Sequence, residues 1–404
     1  MSDVQAKFSG FEVAGVGAAE LPRGFRCGGG TARIKASGKP DLALFVADPP
    51  CPAAGVFTTN AVFGAPVGWS RSRVPTAACG GVVINSGNAN ACTGAEGDAA
   101  AAAMAAAAAG IAGCEADAML VCSTGVIGRP LPAEQLIATL PTLELGASAE
   151  HVDAAATAMM TTDTRPKVAS HDVAGCDCRV VGIGKGAAMI DPDMATMLAV
   201  VMTDGVLQPT EASDLLKRVT ERTFNSITVD GHTSTSDSVL LLASGQGGRC
   251  DPASLEAALT AVCGSLAEQI IRDAEGAEHC VLVRVSGAED ESAAHEIAVA
   301  IADDALVKTA LAGNDPNWGR IVSKVGGSAF ARDLAGLHVA LNGTTIYESG
   351  RGVSDETQLA AVSASMKTGE IVIAVELREG EGRAEILTTD LTQEYVRLNS
   401  EYTT

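Results

Sequence analysis

The stretch Lys185-Gly-Ala-Ala-Met-Ile-Asp-Pro-Asp-Met-Ala-Thr196-Met-Leu-Ala-Val-Val-Met202 decides how this chain reads. It lies near the middle of 404 residues. Upstream, Cys178-Arg-Val-Val-Gly-Ile183 runs into a turn of small residues. Downstream, Met197 to Met202 is a continuous apolar run of the length of a buried strand. Pro192 argues against helix between the two, so Thr196 stands at the mouth of a predicted strand. A β-branched residue opening a strand needs no special reason. A hydroxyl there also suits one uncommon chemistry. Cleavage of the Ala195–Thr196 bond would leave Thr196 with a free α-amine beside its own hydroxyl. Such an amine titrates near pH ~8, against ~10.4 for lysine, so nucleophile and base would share one residue.

Working outward, the length exceeds one average core and predicts two lobes or one large layered α/β body. Hydrophobic residues make up 47% of the chain and aromatics only 3%, so the core must be aliphatic and small. A net charge of −21 argues against nucleic acid or an anionic membrane surface as partner and fits a cytoplasmic enzyme. Eleven scattered cysteines, an odd number without framework spacing, predict reduced thiols. The six histidines show no metal-ligand spacing, and no metal is expected. The N-terminus has no secretory apolar region, and the alanine-rich run 99–112 is too short for a bilayer.

Strands and helices alternate along the chain. Asp41-Leu-Ala-Leu-Phe-Val46 and Gly55-Val-Phe57 read as strands separated by Pro49, Pro50 and Pro52. Gly80-Gly-Val-Val-Ile84 leads into Asn85-Ser-Gly-Asn-Ala-Asn-Ala-Cys-Thr-Gly94, a polar turn at a strand end. Asp98 is placed as the cap of an alanine-rich helix to about Ala109. Ala118 to Cys122 is a strand delivering Ser123-Thr-Gly-Val126, where Thr124 offers a hydroxyl and Gly125 an approachable N–H for an oxyanion. Helices are expected over 132–160, 207–223, 254–271 (capped by Ser254), 292–310 and from Ser354, with a hairpin of 371–377 and 383–388 near the end. Gly182-Ile-Gly-Lys-Gly186 could pass for a nucleotide turn, but no helix and no phosphate-loop Lys-Ser/Thr follows it.

Several of these stretches together resemble one family, the glutamate N-acetyltransferases, also called ornithine acetyltransferases. The resemblance rests on Lys185-Gly-Ala-Ala-Met-Ile-x-Pro-x-Met-Ala-Thr-Met-Leu198, on Asn85 to Gly94, on the Thr124-Gly125 step and on Asn225-Ser-Ile-Thr-Val-Asp-Gly-His-Thr-Ser-Thr235. Gly313-Asn-Asp-Pro-Asn-Trp-Gly-Arg320 and the segment around Glu275 add to it, and it covers nearly the whole chain. The fold it implies is a layered α/β sandwich of the DmpA and ornithine-acetyltransferase type, self-cleaved into an alpha chain, 1–195, and a beta chain, 196–404. The activity it implies is transfer of acetyl from N-acetylornithine to glutamate in arginine biosynthesis, through an acetyl-enzyme on Thr196.

The same resemblance assigns the oxyanion hole to Thr124 and Gly125. It assigns cleavage to Ala195 and Thr196, and substrate binding to Thr161, Lys185, Thr196, Glu275, Asn399 and Thr404. No cofactor is implied, although acetyl-CoA serves as a second donor in part of the family. Two alpha and two beta chains forming a heterotetramer would be the assembly. Ala188, Asp191, Asp193, His232 and Ala274 depart from the family pattern and bear on rate or specificity. A rival on the same architecture is an amidohydrolase or aminopeptidase with water as acceptor. A rival of another class is a nucleotide-binding protein using the glycines around Lys185.

Overall fold

Residues 4–9, 11–191, 197–332 and 334–401 are described by a computed structural model. They fall into two compact units, one running through 11–225 and 232–270, the other through 4–9, 226–231 and 271–401.

The first unit is built on a nine-stranded sheet. Its strands are β1 (Gly15–Val16), β2 (Phe25–Gly30), β3 (Leu42–Phe57), β4 (Thr76–Asn88), β5 (Met119–Val126), β6 (Lys167–Asp172), β7 (Arg179–Lys185), β8 (Leu198–Gly205) and β9 (Ser238–Gly248). The order is β1-β6-β7-β8-β9-β3-β4-β5, with β2 on β3. Helices of this unit are α1 (Ala65–Arg71), α2 (Gly94–Ala112), α3 (Ala133–Thr139), α4 (Ala149–Met159), α5 (Pro209–Glu221) and α6 (Pro252–Ile271).

Alternation along the strands decides the layers, because successive side chains leave opposite faces. Ala43, Phe45 and Ala47 of β3 and Leu120 and Cys122 of β5 join Val152, Ala155, Ala156 and Met159 of α4 in one core. The intervening Leu42, Leu44 and Val46, with Met119 and Val121, join Met104, Ala105, Ala108 and Ala109 of α2 in another. Both faces of this part of the sheet are therefore covered. The alanines of α2 suit both helix propensity and close approach to the sheet.

Several boundaries differ from the sequence reading. The prolines do not interrupt β3. They fall where its register against β4 shifts, Pro49 and Pro50 between Val46 and Cys51 and Pro52 between Cys51 and Ala53, irregularities that tolerate missing donors. α2 begins at Gly94 after Thr93, so Asp98 lies inside the helix and does not cap it. The helix expected over 132–160 is broken. α3 ends in a short 3-10 turn at Leu140–Thr142 that contains Pro141, and Gly146 then pairs with Cys27 through Cys27 N–H (2.8 Å) and its own N–H (3.0 Å). α6 starts at Pro252, and Asp251, not Ser254, supplies the capping oxygen, accepting the Ser254 N–H at 3.0 Å.

The expectation of reduced thiols fails at one place: Cys176 and Cys250 form a disulfide across 74 residues. Such a separation leaves no spacing signature. It closes because the turn before β7 and the loop after β9 meet beyond the end of β8, which lies between those strands.

The second unit carries a six-stranded sheet of order β13-β12-β11-β14-β10-β15. Its strands are β10 (Cys280–Ala288), β11 (His338–Leu341), β12 (Thr344–Glu348), β13 (Arg351–Gly352), β14 (Glu370–Glu376) and β15 (Gly382–Thr389). Val281, Val283 and Val285 of β10 and Ile371, Ile373 and Val375 of β14 face α7 (Glu291–Ala302), which supplies Ala294, Ile297, Ala298 and Ile301. α8 (Ala305–Ala312), α9 (Trp318–Gly326), α10 (Glu356–Met366) and α11 (Gln393–Glu401) complete this unit.

Two expectations fail here as well. The helix over 292–310 divides into α7 and α8 because the Asp304 side chain accepts the Leu306 and Val307 N–H groups and starts a new helix. The expected hairpin is absent, since β14 and β15 each pair with β10, which lies between them. Among the described residues, no helix is long and apolar enough to cross a membrane.

Candidate active site

The site of the first unit forms where strand ends converge. β7 ends at Lys185, which pairs with Leu198 at the start of β8, and Leu198 pairs in turn with Ser238 at the start of β9. Lys185 is only 3% exposed, and its Nζ donates to Thr124 Oγ1 at 3.2 Å. A hydroxyl that accepts from an ammonium keeps its own hydrogen free to donate elsewhere. Thr124 is thus set up as a donor, as an oxyanion hole requires.

Gly125 follows at φ 129°, and a Cβ there would stand 2.4 Å from the Gly87 carbonyl carbon. The close pairing of β4 with β5 at Gly87 and Gly125 admits no side chain. The polar stretch ahead of α2 braces this corner. Ser123 Oγ donates to Asn85 Oδ1 (2.5 Å), Asn85 Nδ2 to the Asn88 carbonyl (2.9 Å), and Asn88 Oδ1 accepts the Asn90 N–H (2.7 Å). These amides hold the wall in place by bonding to one another.

Thr161 enters through Asp163. The buried Asp163 carboxylate accepts from Lys167 Nζ (2.6 Å), Gly186 N–H (2.8 Å) and Thr161 N–H (2.9 Å), tying the turn after α4 to the end of β7. Burial opposes its ionisation, but the charges of Lys185 and Lys167 and these hydrogen bonds prevail and hold it well below the usual carboxylate range. Lys35 is a further cation whose field reaches Lys185. Burial, with Lys185 adding to it against the pull of Asp41, lowers Lys35 to about 8. In a chain of net charge −21, Lys185 and Lys35 thus bring positive charge to the neighbourhood of Thr124.

Asp237 completes this group. It is fully buried just before β9, and its Oδ1 accepts the N–H of Met197 at 3.1 Å. Burial pushes its carboxyl well above the usual range, against the Met197 amide, Ser234 and the charge of Lys185. Ala195 and Thr196, the expected cleavage pair and nucleophile, lie outside the described residues, as do Asp193 and Thr404. Asp191 accepts a hydrogen bond from Thr233 Oγ1 (3.2 Å), and His232 is exposed, as a solvated loop histidine would be.

In the second unit, Glu275 and Asn399 meet. Asn399 Nδ2 donates to Glu275 Oε2 at 3.0 Å and to the Tyr395 carbonyl at 3.0 Å. Gly276 at φ 65° permits the contact, because a Cβ there would stand 2.4 Å from the Tyr395 nitrogen. Thr392 Oγ1 donates to the Gly276 carbonyl at 2.6 Å, and Tyr395 Oη donates to Asp230 at 2.9 Å, which pins α11.

Thr124, Gly125, Thr161 and Lys185 therefore form one cluster, and Glu275 with Asn399 a second. Sequence reasoning missed Lys35, Asp163 and Asp237. A Thr-Thr-Asp-Thr run and a Ser-Asp-Ser step look like ordinary polar turns, and only the sheet order carries them to the same place.

Comparison with known proteins decides the kinship. Residues 26–404 match the ArgJ family. The chain belongs to that family. It is 43% identical to the arginine biosynthesis bifunctional protein ArgJ of Rhodopirellula baltica over 397 residues, 95% of this chain and 96% of that protein. The protein of the same name from Thermus thermophilus is 43% identical over 391 residues, 96% of this chain and all of that one. Among solved structures, ornithine acetyltransferase from Mycobacterium tuberculosis, complexed with ornithine, is 39% identical with a TM-score of 0.42, covering 46% of this chain and 100% of that chain. Membership of the ArgJ family agrees with the resemblance read from the sequence and leaves the nucleotide-binding reading without support.

Proposed function

We propose that this ArgJ-family chain is an acetyltransferase of arginine biosynthesis that moves acetyl from N-acetylornithine to glutamate through an ester on Thr196. The observation that carries the reading is the Lys185–Thr124 contact beside Gly125, at the strand ends that flank Met197. Full-length identity to proteins named arginine biosynthesis bifunctional protein supports the pathway.

The chain first cleaves itself. Thr196 Oγ attacks the Ala195 carbonyl carbon, the C–N bond breaks as an ester forms, and water releases the alpha chain, 1–195, from the beta chain, 196–404. Because β7 and β8 are paired in one sheet, the two products stay together. The beta chain then begins with a free α-amine. In turnover this amine takes the Thr196 hydroxyl proton as Oγ attacks the acetyl carbon, and passes it to the departing ornithine nitrogen. Thr124 Oγ1–H and Gly125 N–H hold the oxyanion. The amine of glutamate attacks the acetyl ester in the second half-reaction.

Lys185 and Thr161 hold the carboxylate end of the amino acid. The family resemblance also assigns Glu275, Asn399 and Thr404 to substrate binding, and a carboxylate such as that of Glu275 is a fitting partner for an amine. Acetyl-CoA as an alternative donor would make the enzyme bifunctional, as the relatives' names suggest, and a heterotetramer of two alpha and two beta chains in the cytoplasm is the assembly. The cycle asks for no cofactor.

The test is the denatured mass of freshly made protein beside a Thr196→Ala control, followed by acetyl transfer from N-acetylornithine to glutamate. Two fragments meeting at 195/196 in the wild type alone, and transfer exceeding release of acetate, are expected. An uncleaved wild-type chain of 40.8 kDa would sink the reading.

A further inference from the structure

Three cysteines far apart in sequence converge at the end of the larger sheet remote from Thr124 and Lys185. Cys176 lies in the turn that joins β6 to β7, Cys178 immediately precedes β7, and Cys250 follows β9. Their sulfurs all lie within 4.8 Å of one another. Lys185 closes the opposite end of β7, about 20 Å of strand away. None of the three has a part in the acetyl cycle.

The backbone around them is fixed. Val173 N–H donates to the Cys178 carbonyl at 2.8 Å, and Val206 N–H donates to the Gly248 carbonyl at 3.0 Å. A Cβ at Gly247 would stand 2.6 Å from Cys178 Sγ, so glycine there lets the β9 strand close on the thiol. Arg23 lies alongside, its Nε on Asp204 at 2.6 Å. A cysteine pair would suffice for a disulfide. A third sulfur in the same small volume is what a disulfide does not need.

We propose that Cys176, Cys178 and Cys250 form a thiolate site for one zinc ion, available when the Cys176–Cys250 bond is reduced and closed when it is oxidised. Sulfurs bound to one zinc at about 2.3 Å each stand roughly 3.8 Å apart, within the spread found here. Thiolate ligands select zinc over magnesium, calcium or manganese. The balance is simple. A dithiol reductant gives two hydrogens to the Cys176–Cys250 disulfide and leaves as its own disulfide. Three thiols then lose three protons as three Zn–S bonds form. A water molecule would take the fourth tetrahedral position. Oxidation by diamide takes two electrons from the Cys176 and Cys250 thiolates, and with two protons from water its azo bond becomes a hydrazine; the disulfide reforms, the metal leaves and Cys178 regains a proton.

The experiment uses the full chain. Protein reduced under anaerobic conditions is freed of metal and titrated with zinc against a chromogenic chelator, with cobalt as a spectroscopic substitute. One zinc per chain and a thiolate-to-cobalt charge-transfer band are expected. Cys176→Ser, Cys178→Ser and Cys250→Ser should each weaken zinc binding at least tenfold, while Cys114→Ser, at the end of α2, should not. Diamide treatment should lower the thiol count by two and abolish binding. Peptide mapping should then find Cys176 joined to Cys250. Reduced wild-type protein that binds zinc no better than the triple serine variant would overturn the proposal. So would full affinity in Cys178→Ser. Circular dichroism of each variant separates lost ligands from lost fold, and acetyl transfer, built at the other end of the strands, serves as an independent check of that fold.

Discussion

Lys185 Nζ stands 3.2 Å from Thr124 Oγ1, so a buried ammonium from β7 fixes which way the hydroxyl hydrogen on β5 can point. Thr124→Val keeps the shape but removes the hydroxyl. It should lower kcat about 10²–10³-fold with little change in KM, as loss of one oxyanion donor does. Thr124→Ser should restore most of the rate. Lys185→Met should instead raise KM for glutamate and lower kcat together, because it removes a carboxylate partner and frees the Thr124 rotor at once. Steady-state kinetics on the three variants checks this, and a KM-only effect in Thr124→Val would contradict the assigned role.

Asp237 meets the chain one residue beyond Thr196. Before cleavage Thr196 has no free amine, so the proton of its hydroxyl needs another acceptor. Asp237, a buried carboxyl with a raised pKa bonded to the N–H of the next residue, Met197, would fill that role if it takes the proton. Asp237→Asn still offers an oxygen to Met197 but cannot accept the proton. It should slow cleavage by roughly 10²-fold or more and flatten its rise with pH. Time courses of fragment appearance across pH test this. Asp237→Asn cleaving at the wild-type rate would exclude Asp237 from that step.

What the sequence conveys, and what it hides, follows from the range of the forces involved. The apolar runs Val82–Ile84, Met119–Cys122 and Leu198–Met202 announce themselves as strands because burial on both faces demands continuous hydrophobicity. Thr124, Gly125 and Lys185 were legible because they sit on short recognisable segments. Asp163 and Asp237 were not, since their meaning depends on β7, β8 and β9 being neighbours. The Cys176–Cys250 pairing was hidden for the same reason, and the β14–β15 hairpin was misread because nothing local reports that β10 intervenes.

Lys35 gives the site a pH signature. Burial, together with the charge of Lys185, lowers it to about 8, so its cation is lost well below the ordinary lysine range. If it helps seat the substrate carboxylate, KM for glutamate should rise as pH passes through about 8. Lys35→Arg stays protonated throughout and should hold KM level to higher pH. Identical KM profiles for the two proteins would show that Lys35 does not face the substrate.

His279 makes a stability prediction in the second unit. Its Nδ1 lies 2.6 Å from Asp390 Oδ2, both side chains are almost fully buried, and its Nε2 lies 3.2 Å from Asn314 Oδ1. The Asp390 hydrogen bond, stronger than the opposing effect of burial, raises the histidine above its ordinary 6.5. The native state then holds the proton more tightly than the unfolded chain. The resulting stabilisation is complete below pH 6.5 and fades as pH climbs through the raised native value. His279→Gln should therefore cost about 1–3 kcal/mol in acid, where the charged hydrogen bond is intact. Its deficit against wild type should shrink at alkaline pH. Denaturant unfolding of both proteins at a series of pH values measures the gap directly. A gap that stays constant, or widens with rising pH, would mean that Asp390 does not hold His279 as the cation.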